Sequence, residues 1–195
     1  MKFCPLYLKG EMGMSKVYVF MADGTEEVEA LTVIDLLRRA KVDVVTVSVM
    51  ESKQIISSHK IGIAADELYG ESDYMDGDMI VLPGGMPGTT HLKNHEALRE
   101  VLFAYKDAGK HLAAICAAPS VFGANGMLEG KKAICYPGFE EELKGAVVTN
   151  QGVVADGQFV TSKGLGTAID FSLELITRLV NAETAENIAK SIQYK

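Results

Sequence analysis

The sequence predicts an α/β sandwich with a mostly parallel central sheet and a small β-hairpin. Three observations carry this reading. Short apolar runs rich in β-branched residues alternate with longer segments of helical period, the pattern of strand–helix–strand units. Several runs are apolar without alternation, as expected of strands covered on both faces. The chain has 195 residues, 48% hydrophobic and 23% charged, the size and composition of one globular domain. Such a chain buries about 70% of its unfolded surface and needs no disulfide staples.

The elements follow in order. Residues 17–21 form an apolar run stopped by Asp23-Gly24, a buried strand. Residues 25–40 place Val28, Leu31, Ile34 and Leu37 at helical spacing. Glu26 and Glu27 lie in that helix's first turn and Arg38 and Arg39 in its last, which suits the helix dipole. A second β-branched run covers 42–49. Residues 55–56 and 61–64, joined across Ser57-Ser58-His59-Lys60, read as the hairpin. A third buried strand at 79–82 ends at Pro83-Gly84-Gly85. Asn94 is placed to cap a helix carrying Ala97, Leu98, Val101, Leu102 and Tyr105, ended by Gly109. Residues 112–115 are a fourth strand running into Cys116, and a helix follows from Pro119 to about Asn125. Short strands are expected at 147–148, 153–154 and 159–160, the last two joined by Asp156-Gly157. Residues 169–180 are strongly amphipathic helix, and 184–192 a shorter one. No repeat, low-complexity tract or linker divides the chain.

Residues 1–13 do not read as a signal peptide: there is one Lys2, a Pro5, and a short apolar stretch before Lys9 and Glu11. Regular patterning begins after Met14. Lys9-Gly10-Glu11 can be encoded by a purine-rich run like a ribosome-binding site. The leader 1–13 is therefore expected to be non-native or disordered, with a single domain over 14–195. An ordered N-terminal arm is the rival reading.

Nineteen Lys and Arg against 26 Asp and Glu give a net charge of −7, which argues against nucleic acid or an anionic membrane as partner. No apolar run reaches the ~18 residues of a membrane span. The three cysteines, Cys4, Cys116 and Cys135, form no CxxC and are odd in number. A disulfide framework and a zinc finger are both disfavoured, and the reducing cytoplasm is the expected compartment. His59, His91, His95 and His111 show no ligand spacing and read as solvated. No metal and no cofactor is expected.

In open parallel sheets the ligand crevice lies at the carboxyl ends of the strands. Three loops there, 22–25, 83–90 and 116–119, converge. Cys116 sits where a buried strand turns straight into a helix, between small residues, in a tight elbow. The helix N-terminus there favours thiolate. A small buried core residue fits the same position equally well. Glu29 lies one residue from the apolar stripe of the first helix, where a charge is expensive to bury. A carboxyl beside a thiolate in an apolar pocket holds its proton and donates to sulfur. Standing alone, Glu29 would read as a surface glutamate, as Glu26 and Glu27 do. Gly84 and Gly85 let backbone N–H groups approach a ligand, and the N–H groups of Gly85 and Ala117 can form an oxyanion hole.

Taken together, Glu26-Glu27-Val28-Glu29, Val81-Leu82-Pro83-Gly84-Gly85, Ala114-Ile115-Cys116-Ala117-Ala118-Pro119 and Thr161-Ser162-Lys163-Gly164-Leu165-Gly166-Thr167 resemble the DJ-1/ThiJ/PfpI superfamily, in the order and spacing of its DJ-1 branch. The resemblance spans about residues 16–182. It implies a flavodoxin-like three-layer sandwich, usually a homodimer, with a reactive cysteine at the elbow. It assigns Cys116 as that cysteine, Glu29 as its protonated partner, and Gly85 and Ala117 as oxyanion donors. Three departures stand out. Tyr136 replaces a histidine often found after the elbow helix. Gly164-Leu165-Gly166 replaces a Gly-Pro-Gly turn and reshapes a pocket wall. A further C-terminal helix is not expected, so the pocket formed with Gly84, Tyr136, Gly164 and Leu165 should be more open. The protease-like branch places histidine directly after the cysteine; Ala117 stands there, which disfavours a peptidase.

The resemblance implies a cysteine-dependent stress-response protein acting on a small reactive carbonyl, by glyoxalase-type or deglycase-type hydrolysis. The alternatives are a redox sensor or chaperone that uses an oxidisable cysteine, and a binding module with an inert one. In the implied dimer, His59 at the hairpin tip, with Arg39 nearby, would approach the partner's Cys116. Imidazole there would move protons at neutral pH more readily than the phenol of Tyr136. A solvated turn residue is the competing reading of His59.

Overall fold

The computed structural model describes residues 14–194; the proposed leader 1–13 and Cys4 lie outside them. The chain runs β1 (Lys16–Met21), α1 (Glu27–Arg39), β2 (Asp43–Ser48), the hairpin β3 (Gln54–Ile56) and β4 (Gly62–Ala64), then β5 (Glu67–Leu68) and β6 (Met79–Leu82). It continues through α2 (Gly88–Asn94), α3 (Glu96–Asp107), β7 (His111–Ile115), α4 (Pro119–Ala124), β8 (Lys132–Ala133) and β9 (Val147–Val148). It closes with β10 (Val153–Asp156), β11 (Phe159–Ser162), α5 (Ala168–Leu179) and α6 (Ala182–Ser191).

Seven strands form one sheet in the order β10-β11-β7-β6-β1-β2-β5. Every pairing in it is parallel except β10 with β11. The hairpin β3–β4 is a separate antiparallel pair, and β8–β9 a short parallel one. The central strand shows why both faces are covered. Val17, Val19 and Met21 point into one apolar layer with Val33, Leu37, Phe171 and Leu175 of α1 and α5. Tyr18 and Phe20 point into the other, with Leu98, Leu102 and Phe122 of α3 and α4. Such double burial favours the parallel arrangement and accounts for the unalternating runs.

Two expectations about helices are corrected. The buried face of α1 is Ala30, Val33, Ile34, Leu36 and Leu37, together with Glu27 and Glu29, while Val28 and Leu31 stand 43% and 44% exposed. The helix is rotated about its axis relative to the apolar stripe because two carboxylates turn inward to polar partners. The second correction concerns residues 83–94. The segment after Gly85 is not all loop: α2 occupies Gly88–Asn94, and Asn94 ends that helix instead of capping the next. His95 caps α3, its Nδ1 accepting from the Leu98 N–H at 3.0 Å. Glycine and two threonines open α2, so propensity hid it.

Candidate active site

The elbow is built by β7. Cys116 follows Ile115 directly and adopts φ 64, a left-handed conformation that costs a non-glycine residue roughly 1–3 kcal/mol. Two backbone bonds hold it there. Its N–H donates to the Ser162 carbonyl of β11 at 2.9 Å, and its carbonyl accepts from the Tyr136 N–H at 2.7 Å. The strained turn lifts the side chain out of the sheet into a half-buried position at the carboxyl ends of the strands.

Glu29 arrives from the first turns of α1 and is 1% exposed. The Gly84 N–H donates to its Oε2 at 2.9 Å. Its Oε1 is buried without a well-formed hydrogen bond among the described residues, and the Cys116 thiol and the Leu165 N–H are the other polar groups facing the carboxyl. Gly84 is the residue that lets the pair meet. A Cβ there would lie 2.5 Å from the Cys116 Cβ and 2.7 Å from Glu29 Oε2. Gly85, at φ 91, would place a Cβ 2.3 Å from the Glu26 nitrogen. Its own N–H and that of Ala117 face the Cys116 sulfur.

The electrostatics follow from burial. Loss of solvent raises the Glu29 carboxyl to about 7, against partial relief from Cys116, Gly84 and Leu165. For Cys116 the direction differs from the sequence expectation of a thiolate favoured by a helix N-terminus. Burial and the charge on Glu29 push the thiol up to about 12, and the Ala117 and Gly85 N–H groups only partly offset this. The helix that follows, α4, has six residues and offers a weak dipole. Ionised sulfur is therefore favoured only in the form where Glu29 carries the proton. There the carboxyl becomes a donor and its charge no longer opposes the thiolate. The two groups titrate as one pair.

The remaining wall is mostly apolar, with Lys163 and Thr167 as its polar members. Tyr136 and Leu165 are half-exposed and, with Pro137, Gly164 and Thr167, border a cavity of about 310 Å³. The Tyr136 ring packs against Gly164, its Cδ2 3.3 Å from where a Cβ would stand. A proline at position 165 would lack the N–H that Leu165 presents to Glu29. A larger cavity of about 730 Å³ opens beside Tyr69 and His95 and is lined by no cysteine.

The structure thus brings Cys116, Glu29, Gly84, Gly85 and Ala117 together and sets Tyr136, Gly164 and Leu165 beside them. Within the chain it does not bring in His59 or Arg39. Arg39 pairs with Asp35 at 2.7 Å at the far end of α1, ~15 Å along the helix from Glu29. His59 is 68% exposed, and its Nδ1 lies 2.9 Å from Glu27 Oε1 and 3.6 Å from Glu26 Oε2. The Ser58 hydroxyl lies within hydrogen-bond reach of both carboxylates. Glu26 and Glu27 are therefore not solvated charges, contrary to their sequence reading. Burial opposes ionisation of Glu27, but its own N–H, Ser57, Ser58 and His59 hold it below the usual carboxylate range. Glu26, Glu27 and His59 place one donor atom each within 4.8 Å of one another. This network escaped sequence reading because its halves are about 30 residues apart and meet only through the hairpin. His95 and His111 are not solvated either; both are partly buried, and burial lowers their pKa.

Comparison with known proteins adds independent findings. The model of the DJ-1/PfpI family matches residues 15–178. Protein DJ-1 homolog B of Arabidopsis thaliana is 41% identical over 176 residues, covering 89% of this chain and 40% of that protein, so this chain spans about two fifths of that relative's length. A Schizosaccharomyces pombe protein named glutathione-independent glyoxalase DJ-1 is 29% identical over 189 residues, covering 92% of this chain and 98% of that one. The solved structure of oxidized Toxoplasma gondii DJ-1 superposes with a TM-score of 0.89 at 38% identity, covering 92% of this chain and 98% of that one.

Proposed function

The chain belongs to the DJ-1/PfpI family, in its DJ-1 branch, and from that premise we propose that it is a cysteine-dependent hydrolase of small 2-oxoaldehydes or of the adducts they form. The observation that carries the reading is the buried Glu29 carboxyl, held by the Gly84 N–H at 2.9 Å and set against Cys116, with two backbone N–H groups facing the sulfur. A buried carboxyl beside the thiol can take the thiol's proton and return it, which suits reversible thiolate addition.

The chemistry needs only water. With the proton on Glu29, the Cys116 sulfur adds to the aldehyde carbon, forming an S–C bond and an alkoxide. The Gly85 and Ala117 N–H groups stabilise that oxyanion. Glu29 gives its proton to that alkoxide; its carboxylate then takes the hydrogen from the aldehyde carbon as a proton and returns it to the ketone carbon, while the hydroxyl proton passes from the first oxygen to the second, so the first carbon is oxidised and the second reduced. The product is a thioester of a 2-hydroxy acid. Water cleaves the S–C bond, giving the free acid and restoring the thiol. The name of the Schizosaccharomyces pombe relative supports this reading. Single-turnover formation of lactate from methylglyoxal by the wild type, and its loss in Cys116→Ser, tests it. Lactate formed equally by both proteins overturns it.

A second reading, oxidation sensing, is favoured by the half-buried access to Cys116 beside a carboxyl able to donate to a sulfinate. Mild peroxide would then add two oxygens to Cys116, and Glu29→Ala would carry oxidation further. We also propose a homodimer in the cytoplasm. Val28 and Leu31 of α1 and Ile56 and Ile61 of the hairpin are all more than two-fifths exposed, on neighbouring elements, and burying them against a second copy removes that cost. In such a dimer His59 and Arg39 would approach the partner's pocket.

A further inference from the structure

Resting on the reading of a 2-oxoaldehyde hydrolase, we propose that Tyr136 and Leu165 form an acyl-group subsite that selects substrates carrying an aryl or bulky apolar group on the ketone carbon over methylglyoxal and glyoxal.

With its aldehyde carbon at the Cys116 sulfur and its oxygen toward the Gly85 and Ala117 N–H groups, a substrate is closely confined on the β6 side. Gly84 has no space even for a methyl group, since a Cβ would stand 2.5 Å from the Cys116 Cβ. The space adjoining the pair is the cavity of about 310 Å³ between Tyr136 and Leu165, which also takes in Lys163 and stands next to Cys116 without being lined by it. That volume is at the lower end of the ~300–1,000 Å³ of small-molecule sites, enough for a ring and too little for a protein segment.

Each apolar side chain is tied by its own backbone to one member of the reacting pair. The Tyr136 N–H donates to the Cys116 carbonyl at 2.7 Å. The Leu165 N–H faces the Glu29 carboxyl. The side chains themselves are 50% and 49% exposed and belong to neither apolar layer of the fold. The Tyr136 ring is half-exposed, so it has surface available to an aromatic substituent. A methyl group would cover little of this wall, whereas a phenyl ring would cover both residues. The covalent steps are unchanged and consume only water.

The test compares kcat/KM for phenylglyoxal and methylglyoxal in the wild type, Leu165→Ala, Tyr136→Ala and Tyr136→Phe. Phenylglyoxal should be preferred by about 10-fold or more, the scale on which an apolar pocket discriminates. That ratio should fall about 5-fold in Leu165→Ala and in Tyr136→Ala and persist in Tyr136→Phe, which keeps the ring. Both side chains are half-exposed, so truncation spares the core. A ratio near one, or one that the alanine variants leave unmoved, overturns the subsite while the hydrolase reading stands. A second measurement is independent of turnover: protection of Cys116 from iodoacetamide by mandelate and by lactate. Mandelate should half-protect at a concentration at least about 10-fold lower. If neither aldehyde is consumed and mandelate still protects preferentially, the hydrolase reading fails and the subsite stands. Equal protection by the two acids overturns the subsite.

Discussion

One proton shared between Glu29 and Cys116 governs the residue scale. Burial raises the Glu29 carboxyl to about 7 from an ordinary value of 4.5, so folding favours its protonated form. The associated stability is fully present below about 4.5 and is lost as pH rises through 7. Above that it amounts to about 3 kcal/mol of destabilisation. Glu29→Gln, which never ionises, should melt roughly 5 °C or more above the wild type at pH 8 and much closer to it at pH 5. Identical melting differences at both values would remove the claim. The same variant separates two roles. Its amide keeps a donor and loses the charge that opposes the thiolate, so alkylation of Cys116 at pH 7.5 should be at least as fast as in the wild type. Turnover of the 2-oxoaldehyde should fall about 100-fold, because an amide does not shuttle a proton. Burial pushes Cys135 up as well, to about 11, and it is 1% exposed. Iodoacetamide should therefore reach Cys116 before Cys135, on access alone.

At the scale of elements, the site depends on how α1 and the β6 loop meet. Gly84→Ala would force a methyl group between Cys116 and Glu29 and should lower turnover at least about 100-fold, read against an unchanged far-ultraviolet spectrum. The rotation of α1 also decides which residues hold the sandwich. Phe171 of α5 is fully buried in the layer that α1 covers, and Phe171→Ala should cost about 3–5 kcal/mol in urea unfolding. Leu31→Ala on the exposed side of α1 should cost far less in the monomer. Capping of α3 by His95 is a smaller term: His95→Ala removes the acceptor for the Leu98 N–H and should cost about 1 kcal/mol.

For the whole molecule, the proposed dimer would turn that exposed side into an interface. Leu31→Glu should shift sedimentation toward the monomer, and an unchanged profile would remove the patch from the interface. His59 would then matter only in trans. If it serves the partner's Cys116, mixing Cys116→Ser with inactive His59→Ala subunits should restore activity in heterodimers. Full methylglyoxal turnover by His59→Ala alone would leave proton transfer to Glu29 and water. Among the described residues no helix is long and apolar enough to cross a membrane.

The sequence by itself determined the alternation of strands and helices, the unalternating strands of a sheet covered on both faces, and the elbow at Cys116. Each of these is a local property, a run of β-branched residues or a small residue beside a turn, and survives without knowledge of neighbours. Glycines at 84 and 85 were legible for the same reason, as turn residues after a strand. Tertiary structure alone decided which side of α1 faces inward, because Glu27 and Glu29 find partners in the hairpin and the β6 loop that periodicity does not register. It also decided the sign of the shift at Cys116. A helix N-terminus argues locally for thiolate, but burial and a carboxylate from another element outweigh it, since the field at sulfur sums over everything packed around it.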